Sequence, residues 1–138
     1  MIFLVFYTDS NRNFDNIQKQ LTGYLKSRPY PDCLLATNGV VTLAALAAFS
    51  DLGIKCPQDV GLMGFCDYSW TWLFQPHLSM VDLPIYDMGT RAMKILIDKI
   101  ENSQETVGKQ HIELPAKLVI RDSCGAYKGP ARNAYPHL

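Results

Sequence analysis

The chain has 138 residues, 48% hydrophobic and 19% charged, with 13 Lys and Arg against 13 Asp and Glu. That length suits one domain with a sizeable core. Zero net charge without a basic run argues against a free-standing nucleic-acid surface, which needs clustered cations, and no apolar run reaches the ~20 residues of a bilayer span.

The opening MIFLVFYTD lacks the basic n-region of a signal peptide and turns acidic at Asp9, so residues 2–7 are predicted as a buried strand. A core strand with no lead-in leads us to expect a piece of something longer. Residues 8–13 form a polar loop in which Asp9 and Ser10 carry no motif. Residues 14–26 have helical spacing, with Phe14, Ile17, Leu21 and Leu25 on one stripe, Asp15 near the start and Lys26 near the end, as the helix dipole favours. The run Arg28-Pro29-Tyr30-Pro31 stops that helix. DCLLAT, residues 32–37, is a second strand, followed by a turn at Asn38-Gly39. A small-residue helix is predicted over 40–52, ended by Gly53 as a left-handed cap. Its alanines, Ala44, Ala45, Ala47 and Ala48, allow close approach to the sheet or to a partner helix.

PQDVGLMGFCD, residues 57–67, organises the rest. The apolar run 60–65 is bounded by turn residues, as expected of a strand buried on both faces in the centre of a parallel sheet. It ends in Cys66, Asp67, Tyr68 and Ser69, and parallel strands present functional groups at their carboxyl ends. Trp70, Trp72, Leu73 and Phe74 crowd the segment after it. Residues 78–83 are extended, and Pro84 opens a helix to about residue 100 with Ile85, Met88, Ala92, Leu96 and Ile100 along one face. A polar loop over 101–109 leads to two short strands, 111–114 and 117–121, and residues 126–138 form a loose tail. The order strand, helix, strand, helix, strand with short links predicts an α/β fold with a parallel sheet and right-handed crossovers.

Few residues suggest chemistry. Cys33, Cys56 and Cys66 fall in or beside predicted strands without a CxxC pair, the pattern of reduced, buried thiols. Cys66 as a nucleophile needs a neighbouring base, yet His77, His111 and His137 lie far along the chain and show no metal-ligand spacing. GLMGF sits inside a strand, with no helix start behind it to form a phosphate loop. No catalytic residue, metal or cofactor is expected.

PDCLLATNG, PQDVGLMGFCD, PHLSMVDLPIYDMGTRAMKILIDKI and LPAKLVIRDSCG, in this order and spacing, resemble the LacI/GalR family of bacterial transcriptional regulators over about residues 1–125. The resemblance implies an incomplete parallel-sheet, Rossmann-like lobe of the periplasmic-binding-protein-like type I fold. Members carry an N-terminal helix-turn-helix, a hinge helix and a two-lobed effector domain. The match is to most of the C-terminal lobe plus the segment that crosses back, a partial effector-binding and dimerisation domain over residues 1–125. By the same resemblance the helix over 84–100 belongs to the missing N-terminal lobe, leaving its apolar stripe without a native surface. The implied partners are a small-molecule effector, a sugar or a derivative, and a second copy in a homodimer. Operator DNA would be reached only through a missing N-terminal domain, in the cytoplasm and with no membrane. These residues alone are then expected to bind neither operator nor sugar with useful affinity.

Carried over position by position, the implied ligand site comprises Thr8, Asn38, Cys66, Asp67 and Trp70. The family's stacking aromatic falls near Thr8, where it is missing or shifted to Tyr7. Its Asn-Asp after the second strand is Asn38-Gly39 here, its Gly-Phe-Asp after the third has Cys66 in the Asp position with Asp67 next, and its frequent crossover-strand Gln is Leu83. A site built to hydrogen-bond hydroxyls loses discrimination when such partners go, so the effector is less polar than a typical sugar or the pocket has decayed. Asn38 fits a helix N-cap as well as a ligand contact, and Asp67 fits a turn cap as well as a hydroxyl acceptor. Trp70 suits stacking on a ligand face; Trp70, Trp72 and Phe74 suit packing in a core or an interface better still. By the resemblance, Phe74 and the Ala-rich helix, at Ala44 and Ala48, lie at the dimer contact. The alternatives are a periplasmic sugar-binding lobe, a non-binding remnant, a flavodoxin-like enzyme, and a response-regulator domain, the last of which would want an acidic cluster where only Asp9 is available.

Overall fold

The computed structural model describes residues 3–4, 13–26, 29–101 and 111–126. They divide into two compact units, one within Met1–Asp82 and Leu118–Leu138, the other within Leu83–Lys117. The first unit alternates strand and helix: β1 Phe3–Leu4, α1 Phe14–Leu25, β2 Cys33–Leu35, α2 Gly39–Leu52, β3 Gly61–Phe65 and β4 Ser79–Asp82. The sheet runs in sequence order to a fifth strand, β5 Lys117–Val119. Its first three pairings are parallel, with Cys33 beside both Phe3 and Gly61, and Met63 beside Ser79. The expected α/β order and parallel sheet are therefore present.

Each helix starts and stops for a local reason. Asn13 caps α1 by accepting the Asp15 N–H at 3.2 Å, and Ile17, Leu21 and Leu25 form its buried stripe, while Phe14 stays at the surface. Asn38 caps α2 in the same way, accepting the Val41 N–H at 2.9 Å, so this helix begins at Gly39 rather than at 40. It ends where Gly53 takes φ 64, the left-handed conformation that glycine adopts without a Cβ penalty.

Helices α1 and α2 pack against each other, and the core gathers Ile17, Leu21, Leu25, Leu34, Ala45, Phe49, Leu62, Leu78 and Met80. At Gly64 α2 lies close to the sheet: a Cβ there would stand 2.9 Å from Thr42 Oγ1 and 2.8 Å from Met80 Cε. The strand expected to be buried on both faces differs from that expectation. Leu62 and Gly64 are fully covered, whereas Met63 and Phe65 are half-buried, and Leu35, paired with Met63, is 49% exposed. A continuous apolar run fits a strand buried on either one or two faces, and only the packed layers distinguish them.

The chain returns to this unit through a segment that had been expected to be plain strand. β5 stops at Val119, and Asp122–Cys124 forms a 3-10 turn tied to the strands by Ser123, whose hydroxyl donates to the Leu62 carbonyl at 2.6 Å and accepts the Ser79 N–H at 2.8 Å. The Ser79 hydroxyl accepts the Arg121 N–H at 2.9 Å. With both serines fully buried, these bonds satisfy backbone groups that water cannot reach.

The second unit holds α3, Ile85–Glu101, with Pro84 just ahead of it. It is strongly amphipathic, yet none of its side chains is buried; Ile85, Met88, Met93, Leu96, Ile97 and Ile100 are all exposed. Residues 111–114, expected as a strand, are irregular, because Pro115 follows directly and they pair with no described strand. A shallow apolar groove of about 370 Å³ is lined by Met88, Ala92, Ile95 and Ile112, among others. Among the described residues no helix is long and apolar enough to cross a membrane.

Candidate functional site

The carboxyl ends of β2 and β3 open beside the start of α2. β2 delivers Asn38, whose Oδ1 is used by the helix cap; its amide nitrogen, on an exposed side chain, remains a donor. β3 delivers Cys66, with φ 66 the one non-glycine residue in left-handed backbone among the described residues. That turn is pinned by the Cys66 N–H on the Val81 carbonyl at 2.9 Å and the Tyr68 N–H on the Cys66 carbonyl at 2.9 Å. Beyond it a five-residue 3-10 helix, Ser69–Leu73, carries the aromatic cluster.

Tyr68 and Trp70 stack with ring centres 5.6 Å apart and planes 12° from parallel, and Phe74 meets Trp70 edge-on at 5.9 Å. The stack closes on Gly39, where a Cβ would lie 3.1 Å from Tyr68 and 3.5 Å from Trp70. The glycine at position 39 thus lets two rings reach the mouth of α2. They wall a cleft of about 420 Å³ lined also by Ile17, Asn38, Val40 and Leu43. Such a surface offers flat faces for stacking and the Asn38 amide for a hydrogen bond.

Asp67 stands behind this wall, fully engaged. Both its carboxylate oxygens receive the Arg121 guanidinium, through Nη1 at 2.8 Å and through Nη2, and Oδ1 also accepts the Thr71 hydroxyl at 2.8 Å. Arg121 Nη1 donates further to the Leu78 carbonyl at 2.7 Å, and the guanidinium lies 4.0 Å above the Trp72 ring. His77 touches Trp72 and bonds Asp122 at 3.1 Å through Nδ1.

Of the residues singled out in the sequence, the fold brings Asn38, Cys66, Asp67 and Trp70 to one edge of the sheet, while Thr8 lies outside the described residues. Phe74 packs half-buried against the core. Ala44 and Ala48, expected at a dimer contact, have no exposed surface at all. Their methyls close the chain's own interior, and the surface of α2 belongs instead to Val40 and Leu43. Arg121 was missed, although an arginine closing the apolar run KLVI was the available signal: a strand-end cation among apolar neighbours needs a buried acid.

Burial pushes the Cys33 thiol up, helped by nearby Cys124 and Asp32, and pushes Cys56 up to about 11. All four cysteines are free and half-buried. The Tyr68 hydroxyl is raised first by its hydrogen bond to Cys66. Among the described residues no three acids, histidines or cysteines are grouped to hold a metal ion.

Residues 5–124 match the family model for the periplasmic binding protein-like domain. The HTH-type transcriptional regulator KdgR of Bacillus subtilis is 33% identical over 110 residues, which are 79% of this chain and 32% of that protein. The ribose operon repressor of Halalkalibacterium halodurans is 31% identical over 111 residues, 80% of this chain and 33% of that protein. Among solved structures, a LacI family transcriptional regulator from Arthrobacter sp. FB24 in complex with lactose superposes with a TM-score of 0.68 at 26% identity, over 80% of this chain and 41% of that one. The chain spans about a third of the length of the two regulators it matches by sequence.

Proposed function

Because this chain belongs to the periplasmic binding protein-like domain family, and its relatives there are LacI-type regulators, we propose that it is the ligand-sensing and dimerising portion of a LacI/GalR-like transcriptional regulator. The observation that carries the reading is the cleft at the carboxyl edge of β2 and β3, where Asn38 and the Tyr68–Trp70 stack converge. Parallel α/β sheets bind ligands at that edge. The effector is a small molecule of the sugar class or a derivative, with a face flat enough to lie on Trp70 and a polar group within reach of Asn38. Thr8, Cys66 and Asp67 complete the set, Asp67 acting through its hold on the loop.

In this reading α3 belongs to the other lobe of the effector domain, which fits a helix with an apolar stripe and no buried side chain. The homodimer face includes Phe74, half-buried against the core, and the exposed Leu73 next to it in the chain. Effector closes the cleft and shifts the population of dimers competent for operator DNA, which is bound by a domain outside this chain. No reaction is catalysed, and the regulator works in the cytoplasm. A periplasmic sugar-binding protein would share the lobe, but the relatives are regulators of transcription.

The test is made on the gene product in its native cells. An antibody against this segment should reveal a band about two and a half times the size of the chain, as in KdgR. That product should shift a DNA fragment from its own promoter, and one of a panel of pentoses, hexoses and their acids should reverse the shift. A band at the size of these 138 residues, or tight sugar or DNA binding by these residues alone, refutes the proposal.

A further inference from the structure

We infer that Arg121 is the positioning residue of the cleft: from the returning C-terminal segment, it sets the orientation of the Tyr68–Trp70 wall through Asp67, Thr71 and Trp72. The inference rests on the reading of that wall as the sensing surface, and it reaches a residue with no place in the cleft itself.

The loop 66–74 is tied to the rest of the fold at its root by the Cys66 N–H on the Val81 carbonyl and further on by Trp70 and Phe74, half-buried against the core. It begins with the left-handed Cys66 and continues as a single 3-10 turn whose only fully buried side chain is Thr71. An isolated turn of this kind is not stable by its own hydrogen bonds. Its order must come from contacts with the body of the fold, and Arg121 supplies three of them. The two-pronged bond to Asp67 fixes the root of the loop. Asp67 passes that constraint to Thr71, whose hydroxyl also donates to the Tyr68 carbonyl at 2.7 Å. The face of the guanidinium lies on Trp72, on the other side of Thr71 from Trp70. Trp72 thus touches Arg121 directly, Tyr68 is reached through Asp67 and Thr71, and Trp70 through its stack on Tyr68.

The guanidinium is itself rigidly held. It is 7% exposed, bonded to the Leu78 carbonyl, and its own backbone is locked to the Ser79 hydroxyl. Its Nε is buried with no hydrogen-bond partner among the described residues, an arrangement that pure stability would not favour. A planar fork that bonds a carboxylate on its edge and a ring on its face is something lysine cannot reproduce.

The experiment separates positioning from mere stability by reading the two tryptophans. In the chain carrying Trp72→Phe, the near-ultraviolet circular dichroism of tryptophan reports Trp70 alone, stacked on Tyr68. Adding Arg121→Lys should leave the far-ultraviolet spectrum intact and remove at least half of the Trp70 band. The apolar pair Asp67→Leu with Arg121→Met should recover the melting temperature that Arg121→Met alone loses, and still not restore the band. A folded Arg121→Lys protein with an unchanged Trp70 band overturns the inference, as does full recovery of the band in the apolar pair, because the ion pair would then be a structural tie only. No ligand enters this measurement. Failure of the sensing reading therefore shows in the promoter and sugar assays, and failure of the positioning shows here.

Discussion

Helices α2 and α3 are both rich in apolar residues at helical spacing, and they end in opposite circumstances. Five α2 side chains, among them Ala44, Ala45 and Phe49, disappear into a core shared with α1 and the sheet, while α3 buries none. Helix propensity and periodicity account for both helices equally well. What separates them is the presence of a facing surface, because most helical stability in a folded protein comes from packing an apolar face. The first unit has its own interior; the second exposes a stripe of isoleucine, leucine and methionine of the kind that marks an interaction site.

That contrast can be broken by substitution. In the first unit, Leu62→Ala removes a fully buried side chain between α2 and the sheet and should lower the unfolding free energy by about 3 kcal/mol in urea titration. A loss below about 1 kcal/mol would mean that this interior is loosely packed. Ser123→Ala should take about 2 kcal/mol, since the Leu62 carbonyl and the Ser79 N–H lose their partner away from water. Loss of the α2 cap in Asn38→Ala should lower stability by about 1 kcal/mol; Asn38→Ser, which can cap equally well, should restore it.

A pH scan gives a smaller effect with a definite sign. Cys56 has its pKa raised to about 11 by burial, so the folded state holds the proton more tightly than the unfolded chain does. The resulting stability is complete below the ordinary thiol pKa and fades as pH climbs from there through about 11. Thermal melts across that alkaline range should show the decline, and Cys56→Ala should flatten it. The smallest effect belongs to the second unit. Leu96→Ala in α3 should change stability by no more than about 0.5 kcal/mol, because this side chain is already half exposed. A loss as large as that of Leu62→Ala would show that the stripe is covered in solution.

Much of the fold was legible because its signals are local. Asn38 and Gly53 bracket α2 by capping chemistry, Pro84 stands before α3, and the short links between apolar segments allow only a parallel α/β arrangement. The family motifs went further and drew attention to Asn38, Cys66, Asp67 and Trp70 before any packing was known. Side-chain commitments were not legible. An aspartate after a strand reads the same in sequence whether it faces a ligand or an arginine 54 positions later. Alanines at helical spacing read the same whether they line an interior or a dimer contact, and Ala44 and Ala48 turned out to have no surface to share.

By itself, then, the sequence determined the order of the main strands and helices, the end of α2 at Gly53, and which edge of the sheet carries the polar and aromatic cluster, because propensity, capping and apolar spacing act over a few residues. Only the tertiary structure decided that Leu35 lies on a partly open face, that Gly39 admits two stacked rings, and that RDSC folds back so that Arg121 grips Asp67 while Ser123 bonds β3 and β4. Those outcomes depend on contacts between residues dozens of positions apart, and chain closure over such distances leaves no periodic trace in the sequence.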